Sequence, residues 1–573
     1  MRKPISLIAC FIVCVVIFQY RGTHMSLDSS RKLKVTDWDC LGYYMFLPGM
    51  FIYDDITQLK WLPEIDAKYS VIGGHLYQAG KCDNGNYVGK YLLGVAMIEA
   101  PFFLAAHFIA VHCGYPPDGF SPPYQYAIAF AAMFYALLSI FLLRKLLLDY
   151  FPDLSVAISI CLICLATNFI QYVAVDGGMS HAYIFPLYVL LLYSTKKWHE
   201  RPSYLWAGLT GYIISLACLC RPTEAVMLFI PLMWNTQSKE AAKAKWTLVR
   251  NNKGHVLFAA LFCFLGVVPQ LLYWKITSGS WLYDVGSSWD FLNPHLQVLF
   301  GWEKGWFIYT PVTLFFIIGM FFMKRYPFRE SVLWFCILNI YILISWRDWQ
   351  YAGSFSARAL MESLPVFALP LAAVVEQINL RKWRWFFYLP GLYLIIVNIF
   401  QHDQYHKTIL HYFDMNRQYY GRIYLNPNPR PLDMSMLDNK DMLNDTKGYT
   451  INTLLQTDVP KQLKFKENAE GTLFDTTITS QADNVWILVT CTIKADKGYW
   501  GAYLNTTLTT NDTLKHNRVR IFNPISKEGD NNEYQFYVRV PKPFNDSHFR
   551  LYISDDGDFA GVVEKIKITE LIK

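Results

Sequence analysis

Apolar runs of roughly 17–25 residues recur along the first 400 positions of the chain, and a polar tail of about 170 residues follows. A run of that length crosses the hydrocarbon core of a bilayer as a helix. The pattern predicts spans at about 5–20, 122–148, 154–175, 181–196, 203–220, 223–236, 254–276, 305–323, 330–346, 359–377 and 383–400, about 11 in all. The run at 89–113 is also apolar, but Glu99, Pro101 and His107 interrupt it. Counted as a span, it would put Arg144-Lys145 and every later basic loop outside. Laid on the bundle as a re-entrant or surface helix, it leaves all of them inside: Arg144-Lys145, Lys196-Lys197 with Arg201, the block Lys239 to Lys253, Lys324-Arg325 with Arg329, and Arg381-Lys382 with Arg384. Lys and Arg are retained in cytoplasmic loops, so the second arrangement is expected. The first run follows Met1-Arg2-Lys3 and exits through Gln19-Tyr20-Arg21 without a small-x-small cleavage pattern, which reads as an uncleaved span.

Beyond residue 400 the period changes. Residues 401–445 are a polar connector containing Asn426-Pro427-Asn428-Pro429. Short alternating runs follow: Thr472 to Thr479, Val485 to Ile493, Tyr499 to Leu508, Arg518 to Phe522, Tyr534 to Val540, Phe549 to Ile553 and Val562 to Thr569. Turn residues such as Lys527-Glu528-Gly529-Asp530 and Asp555-Asp556-Gly557-Asp558 separate them, so residues 446–573 are expected to form a jelly-roll-like β-sandwich. The fold class expected is a polytopic α-helical membrane protein over 1–400, with residues 21–121 as a first extracytoplasmic loop, and a C-terminal extracytoplasmic β-sandwich.

Composition agrees: of 573 residues, 53% are hydrophobic and only 17% charged, against about a quarter in soluble proteins. The formal charge of +7 is spread along the chain, which argues against nucleic acid as a partner. Membrane lipid is the partner that the runs require. Most of the 12 cysteines, among them Cys10, Cys14, Cys161, Cys164, Cys218, Cys220, Cys263 and Cys336, lie inside apolar runs as small core residues. Cys40 and Cys82 share the first polar loop and are able to pair if it faces an oxidising compartment.

Candidate chemistry gathers on the expected outer face. Thr36-Asp37-Trp38-Asp39-Cys40-Leu41-Gly42-Tyr43-Tyr44 places two carboxylates between aromatic residues soon after the first span. Asp176 and His181 flank the end of the run 154–175, Arg221-Pro222-Thr223-Glu224 breaks an apolar hairpin, Lys304 starts a span, and Arg358 and Glu362 open another. An arginine at membrane depth needs a partner or an anion, and guanidinium matches phosphate bidentately. Arg221 and Arg358 therefore either hold a phosphate or pair locally, Arg221 with Glu224 and Arg358 with Glu362. Trp281 to Trp306 and Trp346 to Tyr351 suit an interfacial belt or a sugar-stacking surface. Gly-rich nucleotide loops, HExxH and zinc-spaced CxxC pairs are missing from the sequence.

In this order, the motifs resemble the membrane glycosyltransferases of the GT-C superfamily, which include protein O-mannosyltransferases and aminoarabinose transferases. The residues that carry the resemblance are Asp37-Trp38-Asp39 with Gly42-Tyr43-Tyr44, Gly89-Lys90, Leu219-Cys220-Arg221-Pro222-Thr223, and Arg358 near Pro365. The resemblance covers about residues 1–400. It departs from the mannosyltransferases in lacking their Pro-Pro surface-helix start and their adjacent Asp-Glu pair. It implies a polyprenyl-phosphate sugar donor and transfer to a glycan, lipid or protein acceptor on the outer face of an inner or plasma membrane. Asp39 is then the general base with Asp37 beside it. Arg358, Arg221 and Lys304 bind the donor phosphate, and Tyr43, Tyr44, His181 and Trp281 contact substrate. The resemblance fixes no cofactor; Asp37 and Asp39 form an Asp-x-Asp pair able to hold a divalent metal. Two other readings compete: a transporter or flippase of lipid-linked glycans, which should show paired repeats with broken helices, and a non-catalytic scaffold that presents the sandwich.

Overall fold

The computed structural model describes residues 4–25, 33–466, 469–480, 482–496, 499, 501–510, 514–521, 529–542 and 546–573. The chain divides into two compact units, Met1–Ile399 and Phe400–Lys573. The basic start Met1-Arg2-Lys3, the strand end Phe522 and the turn residues Lys527 and Glu528 lie outside the described residues.

The first unit is helical. It begins with α1 (Ile5–Thr23), α2 (Trp38–Tyr44), α3 (Phe46–Phe51) and α4 (Leu62–Tyr69), then a two-stranded ribbon of β1 (Ala79–Lys81) and β2 (Tyr87–Gly89). Next come α5 (Gly94–His112), α6 (Pro122–Leu148), α7 (Asp153–Leu165), a π-helical turn at Gln171–Val175, α8 (Ser180–Glu200) and α9 (Tyr204–Cys220). A 3₁₀ segment, Pro222–Leu228, leads into α10 (Phe229–Met233), then α11 (Lys239–Asn251), α12 (Lys253–Ser278), α13 (Gln297–Phe300), α14 (Trp306–Tyr309), α15 (Thr313–Met320) and α16 (Arg329–Ile344). A 3₁₀ turn at Arg358–Leu360 precedes α17 (Leu364–Asn379) and α18 (Trp385–His406).

Five of these helices, α1, α5, α6, α12 and α18, are long and apolar enough to cross a membrane. Their outer surfaces stay apolar: Leu257 of α12 and Phe386 of α18 are 72% and 80% exposed. Lipid, rather than water, is the surrounding that such side chains fit. Local chemistry sets the helix ends. Ser203 and Ser238 cap α9 and α11 by accepting from the Trp206 and Ala241 amides. Gly279, with φ of 82°, ends α12 in the left-handed conformation.

Side-chain bonds orient the bundle. At one end of α1, the Ile5 and Ser6 amides donate to Asp153, the first residue of α7, at 3.0 and 3.3 Å. At its other end, Arg21 donates to the Ala174 and Val175 carbonyls at 3.0 and 3.1 Å. Hence α1 runs parallel to the segment from α7 to Val175. The run 89–113 forms one continuous helix, α5, in spite of Pro101. Both of its flanks meet the first loop or helix ends near it. Tyr273 and Gln270 of α12 bond the amides of Gly89 and Leu93 at 2.9 Å each. Beyond its other end, Asp118 takes Lys68 at 2.8 Å and Tyr69 at 2.7 Å.

The second unit begins with the end of α18, α19 (Arg417–Ile423) and α20 (Pro431–Ser435), then, among the described residues, nine strands: β3 (Thr450–Thr457), β4 (Lys461–Phe465), β5 (Glu470–Ile478), β6 (Val485–Ala495), β7 (Tyr503–Thr509), β8 (Leu514–Arg520), β9 (Asn531–Val540), β10 (Ser547–Ser554) and β11 (Phe559–Ile572). One sheet has the order β5-β10-β7-β8, the other β3-β11-β6-β9 with β4 also paired to β11. Alternating inward residues, Ile487, Val489, Cys491 and Ile493 from one sheet and Phe549, Leu551 and Ile553 from the other, meet in one apolar core. The pattern of alternation missed β3 and β4, whose residues stay largely exposed and so carry little hydrophobic signal.

Candidate functional site

The first loop folds around its own core of Leu41, Tyr44, Phe46, Trp61 and Phe120, and this core sets the start of α2. Trp38 opens the helix at φ 48°, a left-handed conformation that a bulky residue adopts only under constraint. The constraints are visible: its amide donates to the Val71 carbonyl at 3.1 Å, its carbonyl accepts from Gln78 at 3.0 Å, and its ring lies against Gly73. A Cβ on Gly73 would sit 2.6 Å from the Trp38 ring. This turn separates the two carboxylates. Asp37 pairs with Lys34 at 3.3 Å, and burial pushes its carboxyl up from the ordinary value against the pull of Lys34.

Asp39 points elsewhere. Its Oδ1 accepts from the Tyr91 hydroxyl at 2.7 Å and the Tyr77 hydroxyl at 2.9 Å, and its Oδ2 from Arg358 at 3.1 Å. Burial raises its carboxyl, but the Arg358 charge and the hydroxyls of Tyr91 and Tyr77 outweigh it and hold Asp39 below the usual carboxylate value. Gly42 makes this possible: a Cβ there would lie 2.0 Å from the Tyr91 ring, so only glycine lets that ring cross α2 and reach the acid.

Arg358 and Arg221 flank the ring of Tyr351, at 6.0 and 5.9 Å from its centroid. Arg221 reaches Glu362 at 3.7 Å and donates toward His181 Nδ1 at 3.3 Å, while His181 Nδ1 lies 3.0 Å from Glu362. Among the described residues, the acids that these two arginines reach within 4 Å are therefore Asp39 for Arg358 and Glu362 for Arg221. The sequence-local alternatives, Arg221 with Glu224 and Arg358 with Glu362, are not the ones formed. Glu224 instead accepts from the Tyr188 hydroxyl and, at 3.4 Å, from Thr223.

The other expected site residues divide. Tyr43 joins the group: its ring packs on Tyr91 at 4.5 Å and its hydroxyl donates to Ser180 at 3.1 Å. Tyr44 does not. Its ring is buried among Phe103 and Phe120 and its hydroxyl is given to the Gly119 carbonyl, so it is a core residue, not a sugar platform. Lys304 is buried, and its ammonium donates to the Ala352 and Ser354 carbonyls at 2.9 and 3.0 Å, bracing the loop that carries Tyr351. Tyr351, Ala352 and Ser356 in that loop all have positive φ, at 54°, 49° and 55°. Trp281 is exposed and lies beside Lys275, with 5.9 Å from ammonium to ring centroid. Cys40 and Cys82 are unbonded thiols, so the pairing is not made here. Tyr77, Tyr91, Tyr351 and Glu362 complete the group. Glu362 carried a signal in the sequence as an acid at the mouth of an apolar run, and Tyr351 as the end of an aromatic stretch, whereas Tyr77 and Tyr91 carried none.

Among the described residues, no group of three or more His, Cys, Asp or Glu stands ready to hold a metal ion. Asp39 in this state is committed to two hydroxyls and a guanidinium.

No protein-family model matches the chain, and no curated protein matches it either. Solved structures do. ArnT from Cupriavidus metallidurans is 12% identical over 74% of this chain and 66% of its own, with a TM-score of 0.43. The archaeal oligosaccharyltransferase AglB from Archaeoglobus fulgidus, in complex with an inhibitory peptide and a dolichol-phosphate, is 14% identical over 73% of this chain and 57% of its own, with a TM-score of 0.40. The VP2 subviral particle of infectious bursal disease virus matches 24% of this chain and 37% of its own at 14% identity, with a TM-score of 0.19. At TM-scores below 0.5 these likenesses decide nothing about chemistry, and the site is read from its own residues.

Proposed function

We propose that the first unit is an integral membrane glycosyltransferase that moves a sugar from a polyprenyl-phosphate donor to an acceptor hydroxyl on the outer face of the membrane. The observation that carries this reading is the ion pair between Asp39 and Arg358, 3.1 Å apart across 319 residues of sequence. It joins the expected base to an expected phosphate ligand at one point, with Arg221 and Tyr351 beside them. The arrangement suits about 11 spans with the N-terminus inside, in which α5 lies on the bundle rather than through it.

The chemistry follows from the pair. In the resting state Arg358 and two tyrosine hydroxyls hold Asp39 ionised but make it a poor base. A donor phosphate entering beside Arg358 competes for the guanidinium and draws it off Asp39. The freed carboxylate then takes the proton of the acceptor hydroxyl as its oxygen attacks the anomeric carbon, and the C–O bond to phosphate breaks. Arg358 and Arg221 stabilise the charge that accumulates on the departing phosphate. Base and leaving-group stabiliser are thus coupled: the acid is released only when a donor is bound, which limits wasteful hydrolysis.

The test is release of polyprenyl phosphate from a panel of polyprenyl-phosphate sugars by the protein in detergent. Release from at least one donor, lost in Arg358→Ala, supports the reading. No release from any donor, with acceptor extracts supplied, would overturn it.

A further inference from the structure

We propose that the indole of Trp38 is a stacking platform for a sugar, and that the acceptor is therefore a glycan rather than a peptide or a lipid alcohol. This rests on the reading of Asp39 as the base that takes the acceptor's proton. Around Asp39 the aromatic residues are mostly enclosed: Tyr43, Tyr44 and Tyr351 are 7%, 1% and 3% exposed. Trp38, the residue directly before Asp39, is 55% exposed.

The ring is exposed but not loose. A Cβ placed on Gly73 would meet three neighbouring atoms of its six-membered ring, Cε3, Cζ3 and Cδ2, at 2.6, 2.6 and 2.8 Å. Distances so nearly equal put that point above the ring and not beyond its edge. Gly73, at φ 79°, thus backs one face of the indole, and the exposed surface belongs to the other. The backbone under the ring is fixed by the Val71 and Gln78 bonds already described. A bulky residue held in the left-handed region with its side chain open gains little from burial. Such outliers persist where the surroundings over-determine them, and they gather at ligand sites.

One short stretch, residues 73–78, joins this ring to the base. Gly73 lies under the indole, and the His75 ring stands 5.9 Å from the Tyr77 ring. The Tyr77 hydroxyl donates to Asp39 at 2.9 Å, while Gln78 donates to the Trp38 and Ile72 carbonyls at 3.0 and 3.1 Å. Platform and base are therefore held by the same segment, and a ring resting on Trp38 lies one residue's spacing, about 3.8 Å between Cα atoms, from Asp39. Polar groups border the platform: His75 is exposed, and the Lys34–Asp37 pair is partly open. A pyranose matches both features, with a flat face of C–H groups for the indole and a rim of hydroxyls for the polar groups. A lipid alcohol has no hydroxyl rim, and a peptide no rigid flat face. In the reaction, a hydroxyl of this sugar attacks the donor's anomeric carbon, its proton passes to Asp39, and the bond from that carbon to the phosphate oxygen breaks.

The test uses the whole protein in detergent and a polyprenyl-phosphate sugar that it cleaves. The acceptors are methyl glycosides of hexoses and pentoses, a threonine tripeptide, and dodecanol. Transfer to a glycoside is expected. Trp38→Ala and Trp38→Leu should each raise the glycoside KM about tenfold, with kcat at saturating acceptor and the donor KM within about twofold of the unaltered protein. Trp38→Phe keeps a flat face and should stay within about threefold. A merely structural role would not separate the two KM values or rank Phe above Leu. An unchanged glycoside KM in Trp38→Ala and Trp38→Leu would overturn the proposal. So would Leu serving as well as Phe, the result expected of a tryptophan that only sits in the lipid interface. Donor cleavage with transfer to the peptide or the alcohol, but to no glycoside, would overturn it and leave the Asp39 reading intact. No release of polyprenyl phosphate from any donor would overturn both.

Discussion

Replacing Tyr91 by Phe removes one atom from the candidate site and leaves its packing. The ring still lies across Gly42 and against Tyr43, but the 2.7 Å hydrogen bond to Asp39 is gone. A hydrogen bond to a charged group is worth about 1.5–3 kcal/mol. Asp39 is 23% exposed and keeps Tyr77 and Arg358, so the lower end applies, about 1.4 kcal/mol or one pH unit. The sign is fixed by what the bond favours. The hydroxyl stabilises the ionised acid, so its loss raises the Asp39 pKa. A general base must be ionised, so the acid limb of the rate profile of sugar transfer moves to higher pH by about one unit. The alkaline plateau should hold or rise slightly, because a less stabilised carboxylate is the stronger base. The assay is kcat/KM for transfer across pH, with donor affinity measured separately. An unmoved acid limb in a correctly folded variant would refute Asp39 as the titrating base, whatever happens to the plateau.

Two further outcomes are expected. Asp118 is raised by burial, but Lys68, Tyr69 and the Phe120 and Ser121 amides hold it below the ordinary carboxylate value. Asp118→Asn should therefore destabilise the first loop by about 1–2 kcal/mol at neutral pH. The difference in unfolding midpoint from the unaltered protein should begin to shrink as pH falls below the ordinary carboxylate value of about 4, and close only further down, once the native carboxyl itself is protonated. Single cysteines placed in 277–304 should react with an impermeant label from outside the cell while cysteines in 237–253 do not. The reverse result would invert the bundle and move the site to the other leaflet.

How far the sequence reaches is seen best residue by residue. Hydrophobic run length located the long helices α1, α6, α8, α9, α12 and α16 to within a few residues, because lipid-facing and core-facing positions are both apolar and the signal is continuous, but it read 305–323 as one span where α14 and α15 are separate short helices, and it gave no sign of α2, α3, α4 or α11. Alternation located seven of the nine strands among the described residues of the second unit, and failed for β3 and β4, whose residues are mostly exposed. Asp39, Arg358 and Arg221 stood out as candidates because charges beside long apolar runs are few. Their partners did not. Pairing Arg358 with Asp39, and Arg221 with Glu362, depends on which helix ends meet, and spacing along the chain favoured the wrong local pairs. Tyr77 and Tyr91 gave no signal at all in a chain of 38 tyrosines. What marks them is the glycine at 42, whose missing side chain has a meaning only once the Tyr91 ring is seen above it. Tyr44 was misread for the opposite reason: next to Tyr43 it looked like half of an aromatic platform, but adjacent helical residues point some 100° apart, and α2 turns one toward the acid and the other into the core.

The most direct test of the central claim is turnover of Asp39→Asn with a polyprenyl-phosphate sugar that the unaltered protein accepts. Asn is close in shape and keeps an oxygen acceptor for Tyr77 and Tyr91, but it is not a useful base. Sugar transfer should fall by about 10²–10⁴ while donor binding and membrane insertion persist. Near-normal turnover in a correctly inserted Asp39→Asn protein would contradict the account and remove the acid from the reaction.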